Sequence, residues 1–111
     1  MKTSADLQIL GTVVAGFPVN ADEELVDTIS LDEYLIEDKN ATYLIKVVGG
    51  SMRDAGILPG DIAIVERGRR PQAGDIVIAE IDSEYKMMRF EHKPRKEIRI
   101  EAVVRGVVRK Y

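Results

Sequence analysis

The sequence predicts an all-β fold, a small barrel-like folded sheet carrying one or two very short helices. Three observations predict it. Short β-branched runs recur between Gly, Pro, Asp and Ser clusters. One Gly-Asp turn and its strand are written twice: Pro59-Gly60-Asp61-Ile62-Ala63-Ile64-Val65-Glu66 is echoed by Ala73-Gly74-Asp75-Ile76-Val77-Ile78-Ala79-Glu80. Helix signals are confined to one short stretch after Ser30. A length of 111 residues suffices for one modest core.

Leu7 to Val14 reads as a short strand broken by Gly11. Phe17 precedes Pro18 and is pushed toward an extended backbone. The small residues Ala15 and Gly16 before it make a segment that a protease cleft, or any linker, would accept. Asn20 to Asp27 is acidic and expected to be exposed. Ser30-Leu31-Asp32-Glu33 has capping-box spacing, with Ser30 as N-cap and a helix of one or two turns through Ile36. Ala41 to Val48 is a strand with apolar residues on both faces, so burial on both is expected. The two Gly-Asp turns launch the next strands, with Arg67 to Gln72 looping between them. Asp82-Ser83 or Ser83-Glu84 turns the chain into a return strand, Tyr85 to Phe90. Lys93-Pro94-Arg95 is a further turn. Glu97 to Ala102 alternates as a half-exposed strand, and Val103 to Val108 closes the sheet with Gly106 at a bulge.

Composition excludes several function classes. The formal net charge is -3, from 16 basic and 19 acidic residues, so bulk charge implies no nucleic-acid surface. No helix-turn-helix pattern occurs, and direct DNA binding by this chain is not expected. There is no cysteine, which removes disulfides and thiolate metal sites. The single histidine, His92, sits between Glu91 and Lys93 as a loop or strand-end residue. It cannot supply a histidine-based metal site, so no metal or other cofactor is expected. No apolar run approaches a membrane span, and the polar stretch Ser4 to Gln8 is unlike a secretory signal. A soluble, cytoplasmic protein is the expectation.

One stretch invites chemistry. Val47-Val48 runs into Gly49-Gly50-Ser51-Met52, then into a turn-forming segment and Pro59-Gly60-Asp61. Glycine before serine lets the backbone bend and leaves the hydroxyl uncrowded. Backbone N–H groups at such a bend can serve an oxyanion. The same residues also suit an ordinary tight turn after a strand.

These residues resemble the nucleophile motif of the LexA/UmuD family of self-cleaving proteins. The resemblance rests on Gly49-Gly50-Ser51-Met52-Arg53-Asp54-Ala55-Gly56-Ile57 with Pro59-Gly60-Asp61. Ile29 to Ile36, Ala41 to Val47, Gly74 to Ala79, the hairpin around Asp82 and Ala15-Gly16 are similar too, and the UmuD branch is the nearer. It implies a serine–lysine dyad that cuts an Ala-Gly bond in the protein's own N-terminal arm. It implies Ser51 as nucleophile, the N–H groups of Gly50 and Ser51 as oxyanion donors, and Ala15-Gly16 as the scissile pair. It divides the chain into an extended arm over 1–28 and a peptidase and dimerisation domain over 29–111. A RecA–nucleoprotein filament would act as co-protease during the SOS response. The trimmed form would join an error-prone translesion DNA polymerase as a homodimer. The C-terminal domain of a LexA-type repressor, next to a DNA-binding domain, is the second reading. A non-catalytic binding module of the same fold is the third.

One departure matters most. Matching the hairpin places Met88 where the family has its lysine. Methionine fills nearly the volume of a lysine stem and carries no base. Lys86 is the alternative base: two residues away, it shares a strand face with position 88, about 6.6 Å along the strand. It is equally a sheet-edge charge. The segment after Pro94 is also shorter than the family's, which implies trimming of a hairpin that pairs subunits.

Overall fold

The computed structural model describes residues 6–21, 27–91 and 98–111. The expected turn at Lys93-Pro94-Arg95, His92, and the centre of the acidic stretch, 22–26, lie outside them. The chain forms two compact units, Met1–Glu37 and Asp38–Tyr111.

In the first unit, β1 (Asp6–Ile9) pairs antiparallel with β2 (Asp27–Ser30), Leu7 opposite Ile29. The strand expected to reach Val14 stops before Gly11, whose φ is +133°. Helix α1 (Leu31–Leu35) follows at once. Its start is the expected cap: Ser30 is extended, and its Oγ accepts from the Glu33 N–H at 3.4 Å. The segment 14–17 departs from expectation. It is a turn rather than extended chain, closed by Phe17 N–H donating to the Val14 carbonyl at 3.1 Å, with Gly16 at φ +80°. Proline at 18 restrains Phe17, but Gly16 at the third turn position sets the bend.

The second unit is a five-stranded antiparallel sheet. Its strands are β3 (Thr42–Lys46), β4 (Ile62–Arg67), β5 (Ile76–Ile81), β6 (Glu84–Arg89) and β7 (Arg99–Val108), in the order β3-β4-β7-β5-β6. The hairpin between β5 and β6 turns at Asp82 and Ser83, with φ of 51° and 66°. Two positive φ values make the tight connection that strand twist favours. The return strand therefore starts at Glu84, one residue before the expected Tyr85.

Two expectations are corrected. Strand β3 is a sheet edge, not a strand buried on both faces: Leu44 is 64 % and Tyr43 46 % exposed. Its apolar content is real, but it has one neighbour, β4, instead of two. The last two expected segments are one ten-residue strand, β7, in the middle of the sheet. Its register shifts twice. Gly106 and Val104 face Ile64 and Val65, leaving out Arg105, and Ala102 and Ile100 face Ile78 and Ala79, leaving out Glu101. The bulge expected at Gly106 thus falls on its neighbour Arg105.

The core of this unit sits on one sheet face. Ala63, Val65, Ile78 and Ala102 pack there with Val47 and Ile57, and Met52 and Met87 close against them. Ile57 and Met52 come from the segment between β3 and β4, so that segment is pinned to the sheet by apolar burial.

Candidate active site

Ser51 lies in this pinned segment. The backbone leaves β3, bends at Gly49 with φ +87°, and reaches a short 3₁₀ turn, Arg53–Ala55. Position 49 needs glycine for that φ. At Gly50 a side chain would meet the Arg53 Nε at 2.7 Å. Arg53 thus folds back over the bend, and a bare position 50 makes room for it. Met52 turns inward against the core while Ser51 stays exposed. The Met52 carbonyl accepts from the N–H groups of Ala55 at 3.0 Å and Ile57 at 3.1 Å, which closes the turn behind the serine. Among the described residues neither Gly50 nor Ser51 donates its N–H to a backbone carbonyl. Both donors of the expected oxyanion pair therefore remain uncommitted to the fold.

A cavity of about 510 Å³ opens beside Ser51. Val47, Met52, Val65, Ile78 and Met87 make its apolar wall, and Ser51 and Lys86 both line it. Its rim carries a charged relay. The Arg67 guanidinium lies 4.4 Å from the Tyr43 ring centroid, and Arg67 Nε pairs with Glu101 Oε1 at 3.3 Å. Glu101 is the residue left out by the second β7 bulge, the kind of irregularity that re-aims a side chain beside a site.

The two candidates for the base separate. Lys86 is exposed, opposite Ala79 on β5, and lines the cavity with Ser51. Met88 is half-buried opposite the fully buried Val77, and is not among the cavity's lining residues. Position 88 is therefore the one at which a side chain would be partly desolvated. Ala15 and Gly16 are both exposed in the turn described above.

The far end of the Ser51 segment is held by a residue that no local sequence signal marks. Asp61, only 1 % exposed, receives both arms of one guanidinium: Arg109 Nε donates to Oδ1 at 2.6 Å and Nη2 to Oδ2 at 2.7 Å. Arg109 Nη2 also donates to the Gly56 carbonyl at 3.1 Å. The Arg109 hydrogen bonds, then the Leu58 N–H, hold the Asp61 carboxyl at about 2, below its ordinary 3.8; the same pairing raises Arg109.

An all-β domain with a serine at a glycine bend, over an apolar cavity and between free backbone donors, has the makings of a serine peptidase. The comparisons assign the family: the chain belongs to the Peptidase S24-like proteins, the LexA/UmuD family, with residues 8–103 matched. It is 40 % identical over 100 residues to a LexA repressor of Clostridium novyi, covering 90 % of this chain and 48 % of that protein. It is 42 % identical over 81 residues to the protein ImpA of Salmonella typhimurium, covering 73 % and 56 % of the two chains. The protein SamA of the same species is 38 % identical over 81 residues, covering 73 % and 58 %. The chain thus spans about half the length of the curated relatives it matches. Among the described residues no helix is long and apolar enough to cross a membrane.

Proposed function

We propose that this domain is an SOS-response switch of the UmuD type, built to cut its own chain between Ala15 and Gly16. Ser51 Oγ would attack the Ala15 carbonyl carbon and give its proton to a neutral lysine. The oxyanion would be held by the Gly50 and Ser51 N–H groups. The C–N bond to Gly16 then breaks, the lysine returns the proton to the new amine, and water releases Ala15 from the serine ester. The observation that carries this reading is the Gly49-Gly50-Ser51 bend, with Ser51 exposed on the cavity wall and its N–H and that of Gly50 given to no backbone carbonyl.

Two features hold the present chain in its uncut form. Met88 stands where the family places the base, and the scissile pair is folded into a turn that must open before an extended segment is available. Loss of the base costs orders of magnitude in rate, while positioning and oxyanion stabilisation leave a residue of activity. In this account the cut form acts as a homodimeric accessory subunit of a translesion DNA polymerase, and a RecA–nucleoprotein filament promotes cutting. The match to LexA repressors over 90 % of this chain favours, as a second reading, the self-cleaving half of a repressor. The shared cavity gives the exposed Lys86 a competing claim as base.

The test is intact mass after incubation of the Met88→Lys variant at about pH 10, near the reference lysine pKa. Cleavage after Ala15, abolished by adding Ser51→Ala, is expected. A Met88→Lys chain that stays whole for days would remove the dyad assignment.

A further inference from the structure

We propose that Arg109, through Asp61 and the Gly56 carbonyl, is a positioning residue for the Ser51 segment. The inference rests on Ser51 being the nucleophile, and it adds a group from the far end of β7, remote in sequence, to the site. The two Gly-Asp turns differ at this point. At the second, Asp75 Oδ2 accepts from the Gln72 N–H at 2.8 Å, and Gly74 and Asp75 exchange backbone hydrogen bonds with Phe90 at 3.0 and 2.7 Å. At the first, Asp61 Oδ2 accepts from the Leu58 N–H at 2.8 Å, and Gly60 and Asp61 make the same exchange with Val47, both at 2.8 Å. The turn and its ladder therefore form without a bidentate arginine, since the second turn has none among the described residues.

The first turn encloses the irregular segment that carries Ser51, where the second encloses a regular hairpin, β5–β6. Arg109 grips that segment at Asp61 and at Gly56, the residue that ends the 3₁₀ turn. The Gly56 N–H donates to the Arg53 carbonyl at 3.0 Å, and Ile57 and Ala55 donate to Met52, the neighbour of Ser51. A planar fork fixed at two points transmits orientation as well as charge, which a lysine cannot copy. Displacements of about 1 Å at a nucleophile cost rate by up to about 100-fold.

The experiment compares Arg109→Gln and Arg109→Lys, each in the full chain with and without Met88→Lys. Amide hydrogen exchange reads the clamp. Ala55, Gly56 and Ile57 should exchange about 10-fold faster or more, while Val47, Gly60, Gly74 and Phe90 keep their protection. Labelling of Ser51 by a fluorophosphonate probe in the Met88→Lys chains reads the chemistry. The serine oxygen bonds to phosphorus, fluoride leaves, and the serine proton goes to the base. The maximal labelling rate should fall about 10- to 100-fold with the probe's half-saturating concentration unchanged, a split that simple unfolding does not give. Unchanged exchange at Ala55 to Ile57, an equal rise at Val47 and Gly60, or an unaltered labelling rate would each overturn the proposal. A Met88→Lys chain that never labels at Ser51 would instead remove the nucleophile assignment, with the exchange data still deciding the clamp.

Discussion

The two Gly-Asp turns are near copies in backbone and opposites in environment. Gly60 and Gly74 take φ of +91° and +94°, and each aspartate caps the N–H three residues before it at 2.8 Å. Each turn also ties the start of an inner strand to the end of an edge strand, β4 to β3 and β5 to β6. Yet Asp61 is buried under a bidentate arginine, and Asp75 is half-buried with only its cap. The difference follows what each turn closes. The second encloses the regular β5–β6 hairpin, whose Ile78, Lys86 and Met87 also line the cavity, whereas the first encloses the irregular segment that presents Ser51. Local sequence makes the turn, and a tertiary ion pair ties one copy to the residue that follows β7.

The contrast is sharpest in the aspartates themselves. Asp61→Ala should lower the melting temperature several-fold more than Asp75→Ala, because the buried Asp61 accepts two hydrogen bonds from Arg109 besides its cap, whereas Asp75 has only the cap. Acid titration makes the same point. Asp61 lies at about 2 in the fold and near 3.8 when unfolded, so its contribution is full above about 4 and is lost as pH falls through about 2. An Arg109→Gln chain should lose the larger part of that acid-sensitive component, the part held by the Leu58 N–H remaining, as followed by chemical denaturation at each pH. Next in size is Ile57→Ala, at about 2–5 kcal/mol by the cost of emptying a core site. Ile57 is 4 % exposed and belongs to the first segment alone, so a loss well under that range would mean that the segment is not pinned by the core.

The glycines should show the smallest effects and the closest agreement. A Cβ at Gly60 or Gly74 meets nothing within 4 Å, so each Gly→Ala cost is backbone strain of about 1–2 kcal/mol. Equal losses for the two variants in denaturant titrations support the copied geometry, and a twofold disparity would break it.

The same contrast marks what sequence can show. The Gly-Asp echo, the Ser30 cap and the Gly49-Gly50-Ser51 bend are legible because each is set within a few residues by φ limits and short hydrogen bonds. The place of Met88 on its strand is legible because a tight hairpin at Asp82-Ser83 fixes strand register. The edge position of β3, the central place of β7 and the Arg109 clamp are not legible. Each depends on which distant strand arrives alongside, and an apolar run such as Tyr43 to Ile45 reads the same at an edge as in the middle. The turn at Ala15-Gly16 was hidden for another reason: proline restrains Phe17, but the glycine before it decides the bend.

The most direct test of the account compares the cutting rates of the wild-type chain, Lys86→Ala and Met88→Lys at about pH 10, read by intact mass. Rapid cutting after Ala15 in Met88→Lys alone, with the other two chains essentially whole, is the predicted result. Cutting in the wild-type chain that disappears in Lys86→Ala would contradict it, and would make the exposed lysine on the cavity wall the working base.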